Sequence, residues 1–404
     1  MGIQGEKMKP LITGMVMMAI AGAATGQTLD DLKRDGNGGS TDNVLTFGMG
    51  YYQQRYSPLK QINKSTVKKL VPVWSASLDN NLGEQAQPMV YNGVLFVPTV
   101  KDTFAIDIAT GRQLWRTPVD YAPDTPRVVC CGLINKGLVL YNGKVIRGTL
   151  DAHVVALDQK TGKEVWKQKA AEWKEGFSMT NAPQIANGVL ITGISGGEFG
   201  VRGFIDGWDP DTGKKLWRTF TTAAPGEPGG DTWNNLPVAR RHGASVWNSG
   251  SYDKDTRTIF YGVGQPYPWV AEMNGLVPLR PGAKNDALYT DSTVALDPDT
   301  GKLKWHFQHL PNDTWDLDYA YERILVDLPV NGQTRKALVT VGKLGIIEVI
   351  DRTNGQWLWG KQTVYQNVVS AIDPNTGVKT INQESVPDRK STRLNSSHVS
   401  ESRM

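Results

Sequence analysis

Residues 209–217 read DPDTGKKLW, and the pattern of Asp, two variable residues, Thr or Asn, Gly, three further residues and Trp occurs five times in the chain. The five copies are DIATGRQLW at 107–115, DQKTGKEVW at 158–166, DPDTGKKLW at 209–217, DPDTGKLKW at 297–305 and DRTNGQWLW at 351–359. In each copy the Asp carboxylate can accept hydrogen bonds from backbone N–H groups, and the Gly can adopt a positive φ. Each copy therefore predicts a tight turn between two strands.

The spacing of these turns predicts the architecture. The turn glycines lie at positions 111, 162, 213, 301 and 355, which gives steps of 51, 51, 88 and 54 residues. The longest step divides into two intervals of 44 residues at DKDTRTIFY (253–261), where Arg257 stands in place of the Gly. Units of about 40 to 50 residues made of short strands predict the blades of an all-β propeller. The Trp of each copy is then expected to pack between neighbouring blades.

Composition narrows the class of protein further. A chain of 404 residues is long enough for two average domains or one large all-β unit, and a hydrophobic content of 39% can fill a sizeable core. The repeats favour the single unit. The 44 Lys and Arg residues nearly balance the 40 Asp and Glu residues, and no basic run is interleaved with aromatic residues. The sequence therefore predicts that nucleic acid is not a partner.

The two ends of the chain differ from the repeat region. Residues 1–26 predict a secretory signal peptide, because Lys7 and Lys9 precede an apolar run and small residues suited to cleavage follow it. Residues 389–404, RKSTRLNSSHVSESRM, have no repeat or strand pattern and predict a disordered tail of non-native appearance. Residues 27–388 are expected to form one partial propeller with room for about seven units, in an open ring. An open ring exposes blade edges, so weak ligand binding or incomplete folding is also expected.

The only two cysteines are neighbours, Cys130 and Cys131, in RVVCCGLINKG (127–137). Export to an oxidising compartment favours a bond between them. Such an eight-membered ring distorts the peptide between the two residues and closes no loop, so it stabilises the fold very little. A role other than stability is then favoured, and the alternative is a pair of buried or reduced thiols.

The signal peptide, the Gly and Trp repeat and the adjacent cysteines together resemble the pyrroloquinoline quinone (PQQ) alcohol dehydrogenases, the family that includes the methanol dehydrogenases. RYSPLKQIN (55–63) resembles the opening segment of that family, and the resemblance continues with gaps to about Gly360. It implies an eight-bladed propeller with the cofactor at its axis. It also implies that a Cys130–Cys131 disulfide lies flat against one face of the quinone.

The resemblance implies a set of cofactor contacts. ASVWNSGSYD (244–253) resembles the segment whose Trp stacks on the cofactor, opposite the cysteine pair, and a broad indole suits a planar ring. Taken alone, a strand Thr and a surface Lys are equally good interpretations of two of the other positions, Thr180 in TNAP and Lys343 in GKLG. The implied contacts are Cys130, Cys131, Lys136, Thr180, Ser195, Gly197, Ser245, Trp247 and Lys343.

The resemblance also implies a metal site with a catalytic base. GISGGEFGVRG (193–203) resembles the segment whose Glu binds the metal, which indicates Glu198. HLPNDTWDLDYA (309–320) resembles the segment with the base, which indicates Asp316 as base and ligand. Asp318 lies two residues later on an extended segment and points the same way, so both carboxylates can share one cation. Solvated loop acids are the alternative interpretation of Glu198 and Asp318.

Three positions depart from the family pattern. Gln265, in GVGQPYPW, stands where a metal-binding Asn is usual. Lys136 stands where an Arg is usual, which keeps the charge but loses the planar fork. A family Glu falls on Gln85 or beside it, where Glu84 is the neighbour. These departures affect the expected affinity more than the expected function.

The resemblance implies a periplasmic PQQ-dependent dehydrogenase that oxidises a small alcohol and passes electrons to a cytochrome c. A metal ion would act as Lewis acid, Asp316 would take the alcohol proton and hydride would pass to C5 of the quinone. Carboxylates at Glu198, Asp316 and Asp318 favour a lanthanide, with Ca²⁺ second, because the higher charge gains more from them.

Two alternatives remain open from the sequence. One is a cofactor-free periplasmic propeller that serves as a scaffold, and the other is a PQQ dehydrogenase for sugars or polyols. The identity of the alcohol and the oligomeric state are also open, and a homodimer is one option.

Overall fold

The computed structural model describes residues 26–270, 273, 275–276 and 284–386. The predicted tail at 389–404 and, except for Gly26, the predicted signal peptide at 1–26 lie outside the described residues. No helix within the described part of the chain is long and apolar enough to cross a membrane.

Short strands make up most of the regular secondary structure of the described chain. The α-helix α1 (Leu29–Asp35) begins at a capping box in which Thr28 and Asp31 bond each other's backbone N–H groups. The strands are β1 (Met89–Tyr91), β2 (Val94–Pro98), β3 (Asp102–Asp107), β4 (Gln113–Pro118), β5 (Val139–Tyr141), β6 (Lys144–Gly148), β7 (His153–Asp158), β8 (Glu164–Lys169), β9 (Gln184–Ala186), β10 (Val189–Gly193), β11 (Phe204–Trp208), β12 (Lys215–Phe220), β13 (His242–Gly243), β14 (Ser251–Asp253), β15 (Thr258–Gly262), β16 (Pro266–Tyr267), β17 (Ser292–Leu296), β18 (Leu303–Gln308), β19 (Ile324–Val330), β20 (Gln333–Val341), β21 (Ile346–Asp351), β22 (Trp357–Gln362), β23 (Val369–Ile372) and β24 (Lys379–Ile381). Short 3-10 helices lie at Phe47–Met49, Val67–Lys69, Thr125–Val128, Trp173–Glu175, Gly197–Phe199, Gly230–Thr232, Val238–Arg240 and Gln383–Ser385.

The strands form a series of antiparallel sheets along the chain. Five sheets have four strands each, in the orders β1-β2-β3-β4, β5-β6-β7-β8, β9-β10-β11-β12, β14-β15-β17-β18 and β19-β20-β21-β22. The pairs β13-β16 and β23-β24 form two smaller sheets. The prediction of an all-β fold of repeated strand units is therefore confirmed, whereas the predicted number of eight blades stays a prediction.

The repeated motif forms the predicted turn, always between the third and fourth strands of a sheet. In the first sheet Asp107 Oδ1 accepts hydrogen bonds from Thr110 N at 2.9 Å and from Thr110 Oγ1 at 2.7 Å. Gly111 has φ +72°, a conformation that favours glycine. The first and second strands of this sheet are joined by a different turn, which has Asn-Gly at residues 92 and 93.

The turn glycine of one sheet packs on the repeat tryptophan of the preceding sheet. A Cβ atom added to Gly162 would lie 2.6 Å from the Trp115 ring, and one added to Gly301 would lie 2.4 Å from the Trp217 ring. The Trp115 indole also donates a hydrogen bond to the Gln159 carbonyl at 3.1 Å. The predicted role of the repeat tryptophans, packing between neighbouring units, is confirmed at these positions.

The fifth copy of the motif departs from this rule. Trp359, which the pattern assigns to packing, is 41% exposed, whereas Trp357 is only 6% exposed. Trp357 covers Gly377, where an added Cβ would lie 2.4 Å from its ring. The prediction for Trp359 is wrong because DRTNGQWLW offers two tryptophans, and the earlier one packs on the next turn. The pairing of β21 with β22 shifts register between Val349 and Ile350, so the regular alternation of faces does not apply between Trp357 and Trp359.

The assignment of residues 253–261 as a degenerate copy of the repeat is also wrong. Asp253 pairs with Thr258, so this segment is the hairpin between the first and second strands of the fourth sheet. The turn between the third and fourth strands of the same sheet is at residues 297–301. The 88-residue step is thus a single unit with long connecting segments, and the described residues hold five four-stranded sheets rather than about seven.

In the first four of the four-stranded sheets the first strand is more buried than the fourth, whereas β19, the first strand of the fifth sheet, has one buried residue in seven. All three residues of β5, of β9 and of β14 are buried, whereas β8 has one buried residue in six. Met89 and Leu140 are fully buried in one hydrophobic core that extends through the first four sheets. In these four sheets the first strand therefore lies nearer the core than the fourth strand does.

Candidate active site

Antiparallel order brings the predicted site segments to one end of the sheets. In a four-stranded meander, the segment that enters the first strand and the loop that joins the second and third strands lie at the same end of the strands, which is the edge meant below. Lys136, Thr180 and Trp247 occupy segments that enter first strands, and Glu198 and Lys343 occupy loops that join second and third strands. The repeat turns therefore lie at the opposite edge, away from these residues.

A cavity of about 280 Å³ lies at this edge, and most of the predicted site residues line it. Its lining comprises Gln85, Cys130, Cys131, Ile134, Lys136, Ser178, Thr180, Ser195, Gly196, Glu198, Trp247, Asp318, Tyr321 and Lys343. Four predicted residues do not line it: Gly197, Ser245, Gln265 and Asp316. The cavity is thus built from segments that are up to about 260 residues apart in sequence, counted from Gln85 to Lys343.

The adjacent cysteines are bonded and line the cavity. The Cys130–Cys131 disulfide joins residues whose Cα atoms are 3.8 Å apart, and Cys131 has φ +66°. Trp247 lines the same cavity, and its ring packs edge-on against Tyr321 with the ring centroids 5.4 Å apart. A disulfide and an indole on one cavity provide two flat apolar surfaces for a planar ligand.

One part of the cavity carries hydroxyl groups and a lysine. The Thr180 and Ser195 hydroxyls lie 2.9 Å apart, and the Thr180 hydroxyl donates to the Trp247 carbonyl at 3.1 Å. Lys136 Nζ lies 3.5 Å from Thr180 Oγ1, 3.4 Å from the Trp247 carbonyl and 5.1 Å from the centre of the Trp247 ring. Burial lowers the pKa of Lys136 to about 8.

Another part of the cavity is acidic and contains the second lysine. Lys343 Nζ lies 3.1 Å from Asp318 Oδ2 and 3.4 Å from Asp316 Oδ2, and it donates to the Asp316 carbonyl at 2.8 Å. Burial alone would lower the pKa of Lys343, but the two carboxylates outweigh it and raise this pKa. Burial raises the pKa of Glu198, and the charges of Asp318 and Asp316 raise it further.

The candidate metal ligands are neighbours but are not assembled into a closed site. Among the described residues, no three Asp, Glu, His or Cys side chains are arranged so that they could hold a metal ion. Lys343 supplies the positive charge between the two aspartates. Gln265 is 1% exposed, its amide oxygen is buried without a hydrogen-bond partner, and its side chain lies close enough to Glu198 to lower the pKa of that carboxyl. Buried carboxylates together with an unsatisfied amide oxygen are the donor types that a hard cation prefers.

The two small residues that do not line the cavity support its wall from behind. A Cβ atom on Gly197 would lie 2.9 Å from Ser245 Oγ, so only glycine allows this close approach. The Ser245 hydroxyl is buried without a partner, and the Ser245 carbonyl accepts a hydrogen bond from Gly264 N at 2.9 Å. Asp316 lies outside the lining, with a side chain that is 42% exposed.

Sequence reasoning missed four lining residues and left a fifth unsettled. Gln85, rather than Glu84, lines the cavity, and its match to the family Glu stays a prediction. Ser178 is placed by backbone hydrogen bonds with Ser195 in both directions, at 3.2 and 2.8 Å. Tyr321 follows Asp318 by three residues, and its only sequence signal was its proximity to the WDLD segment. Ile134 and Gly196 complete the missed set.

Successive four-stranded sheets, packed through tryptophan on glycine, define a β-propeller with a ligand cavity at one end of its sheets. The chain belongs to the PQQ-dependent alcohol dehydrogenase family: the family described as "PQQ: Glucose/ethanol/alcohol dehydrogenase, beta-propeller domain" matches residues 46–371. The resemblance inferred from the repeats and the cysteine pair is thereby confirmed.

Individual relatives agree with this family. The chain is 39% identical over 367 residues to quinoprotein alcohol dehydrogenase PedH of Pseudomonas putida KT2440, covering 85% of this chain and 59% of PedH. The crystal structure of quinohemoprotein alcohol dehydrogenase from Comamonas testosteroni superposes with a TM-score of 0.81 at 34% identity, covering 88% of this chain and 54% of that one. A europium-containing methanol dehydrogenase gives a TM-score of 0.78 at 30% identity, covering 87% of this chain and 63% of that one. The chain thus spans about half to three fifths of the length of these relatives.

Proposed function

We propose that the protein binds PQQ and one metal ion in the cavity and oxidises a small alcohol to an aldehyde. The observation that supports this most directly is that Cys130, Cys131, Trp247 and Glu198 line one cavity of about 280 Å³. A cofactor-free scaffold offers no reason for a disulfide between adjacent cysteines, an indole and a buried carboxylate to meet. Family membership supports the same conclusion.

The cavity residues divide the work of holding such a cofactor. Trp247 and the disulfide would cover its two faces, because stacking orients a planar ring without using polar groups. The hydroxyls of Thr180 and Ser195 and the Lys136 amine would bind polar atoms at its edge. Tyr321, packed edge-on against Trp247, keeps the indole from tilting.

Glu198, Gln265 and Asp318 would hold the metal ion, together with Asp316. When bound, the quinone accepts the hydride and the metal ion acts as Lewis acid. Asp316 Oδ2 would take the proton of the alcohol, and Lys343, 3.4 Å away, orients this carboxylate and pairs with Asp318. The three carboxylates favour a lanthanide over Ca²⁺, because attraction to a fixed set of negative charges grows with the charge of the cation.

We further propose that the protein acts in the periplasm and delivers electrons to a cytochrome c. The predicted signal peptide supports the location, and the bonded cysteine pair suits an oxidising compartment. A PQQ dehydrogenase for sugars or polyols remains the alternative, and substrate comparison would separate it from an alcohol enzyme.

Reconstitution tests the proposal. The protein would be incubated with PQQ and either La³⁺ or Ca²⁺, filtered, and assayed for retained PQQ absorbance and for dye-linked oxidation of ethanol and of glucose. We expect La³⁺ to retain more PQQ than Ca²⁺, and Asp318→Asn to remove this preference. The exposed Asp120 provides a matched control, since Asp120→Asn removes the same charge outside the cavity. Equal retention with both ions, unchanged in Asp318→Asn, would show that Asp318 is not a ligand.

A further inference from the structure

The cavity contains two lysines with opposite electrostatic surroundings. Lys343 is paired with two carboxylates, at 3.1 Å from Asp318 and 3.4 Å from Asp316. Lys136 reaches only neutral oxygens, the Thr180 hydroxyl at 3.5 Å and the Trp247 carbonyl at 3.4 Å. Within the described part of the chain, no carboxylate forms an ion pair with Lys136. The face of the Trp247 indole, 5.1 Å from Nζ, favours a positive charge on Lys136, but no carboxylate pairs with this amine.

These surroundings change the chemistry of the Lys136 amine. Burial lowers the pKa of Lys136 to about 8, although the charge of Glu322 raises it. At neutral pH an amine of this pKa is unprotonated on the order of a hundredfold more often than an ordinary lysine. Only the unprotonated amine has the lone pair needed for nucleophilic attack.

We propose that Lys136 is a carbonyl-capturing amine, which condenses reversibly with small aldehydes that enter the cavity. The Lys136 Nζ lone pair attacks the carbonyl carbon and forms a C–N bond. The carbonyl oxygen then leaves as water with two protons, both from the amine nitrogen, and a C=N bond remains. The step needs neither oxidant nor reductant.

The proposal rests on the proposed function only for the source of the aldehyde, since an aldehyde is the expected product of alcohol oxidation. The adduct would extend from Lys136 into the cavity beside the Trp247 ring, whose centre is 5.1 Å from Nζ. It would occupy the space that a planar cofactor needs. Aldehyde capture and cofactor binding should therefore exclude each other.

Competitive labelling tests this inference. The protein without added cofactor would be treated at neutral pH with limiting acetaldehyde and cyanoborohydride, which traps an imine as a stable ethyl amine, and each lysine would be quantified by peptide mass spectrometry. We expect Lys136 to be labelled at least about tenfold faster than the exposed lysines of the surface, because burial without a carboxylate partner leaves more of it unprotonated. Labelling of Lys136 at or below the rate of the exposed lysines would overturn the inference.

Variants and protection complete the test. Lys136→Arg keeps the charge, but a guanidinium stays protonated and forms no imine, so the fast-labelled peptide should disappear while circular dichroism remains unchanged. If Lys136→Arg does not fold, Lys136→Met serves the same purpose. PQQ with La³⁺ should protect Lys136. Fast labelling without protection would leave the inference standing and contradict the proposed cofactor site instead.

Discussion

A methyl group at Gly213 tests the packing that joins neighbouring sheets. In Gly213→Ala the new Cβ would lie 2.7 Å from the Trp166 ring and 2.8 Å from Gln168 Cγ, both in the preceding sheet. Gly213 has φ +73°, which costs an alanine about 1 to 2 kcal/mol. Overpacking against the indole adds about 1 to 3 kcal/mol. We therefore expect the free energy of unfolding to fall by about 2 to 5 kcal/mol, a large part of the stability of an ordinary domain.

Gly143 provides a matched control for the backbone effect. It also has φ +73°, but an added Cβ has no heavy atom within 4 Å. Gly143→Ala should therefore lose only the backbone contribution of about 1 to 2 kcal/mol. Urea unfolding of both variants, followed by tryptophan fluorescence, measures the difference. Equal losses in the two variants would refute the idea that contact between the turn and Trp166 stabilises adjacent sheets.

Three further predictions concern other parts of the molecule. Cys130→Ala should leave the urea midpoint nearly unchanged, because the disulfide closes no loop, yet weaken retention of PQQ on filtration; early unfolding with normal retention would contradict this. Lys379→Met should lower the free energy of unfolding by about 3 to 5 kcal/mol, because it removes one partner of the fully buried Glu348. The control Lys336→Met breaks an exposed ion pair with Asp255 and should lower it by less than about 1 kcal/mol in the same urea titration. The free energy of unfolding should fall as the pH drops from about 6.5 toward 4, because burial lowers the pKa of His309 to about 4, so the unfolded chain binds the proton at a higher pH than the folded protein does. His309→Gln should flatten this pH dependence. An unchanged slope of unfolding free energy against pH would refute the role of His309.

The buried groups behind the last two predictions form one directed chain of hydrogen bonds. Arg323 Nε donates to Thr293 Oγ1 at 2.9 Å, and Thr293 Oγ1 lies 2.8 Å from His309 Nε2. Because the Thr293 hydroxyl accepts from Arg323, its own proton can point to Nε2, and a neutral His309 then donates from Nδ1 to Glu348 at 2.6 Å. Lys379 bonds the other oxygen of Glu348, so β24 is tied to the fifth sheet through this chain.

The fold was predictable from the sequence where local chemistry determines it. An Asp that bonds the backbone and a Gly with positive φ form the same turn wherever they occur, so the five copies correctly predicted repeated strand hairpins. The motif alone does not determine which two strands of a sheet the turn joins. Residues 253–261 therefore looked like a copy of the repeat although they join the first and second strands. That distinction depends on pairing with β17, more than 30 residues later.

The tryptophan positions show the same limit. Trp74 packs on Gly111 as the repeat tryptophans pack on later glycines, and its indole donates to the Ile108 carbonyl at 2.9 Å. No Asp-x-x-Thr-Gly turn precedes Trp74, so the pattern missed it. Conversely, Gly377 lies in a sixth turn, DPNTG at 373–377, that lacks the following tryptophan. Packing between sheets requires only an indole from one sheet and a glycine from the next, and these need not belong to the same nine residues.

Individual site residues were predictable only through the family resemblance, but their common location follows from the fold. Every segment that enters a first strand, and every loop between a second and a third strand, reaches the same edge of the molecule. Neither the family resemblance nor the fold predicts the electrostatic surroundings of an individual side chain, as Lys136 and Lys343 illustrate. Both are lysines on the same cavity wall, and only their three-dimensional neighbours decide which one is held as a cation.

The distribution of charge in the cavity favours a ligand with two different ends. Near Trp247, the polar groups are the hydroxyls of Thr180 and Ser195 and the Lys136 amine, which has no carboxylate partner among the described residues. Hydroxyl and amine groups can donate hydrogen bonds. Near Lys343 the groups are carboxylates, which accept hydrogen bonds or bind a cation. A flat molecule between the disulfide and the indole would therefore place oxygen acceptors toward Lys136. A metal ion would neutralise its opposite edge against the carboxylates. An uncharged apolar ligand would form no hydrogen bond or ion pair at either end of the cavity.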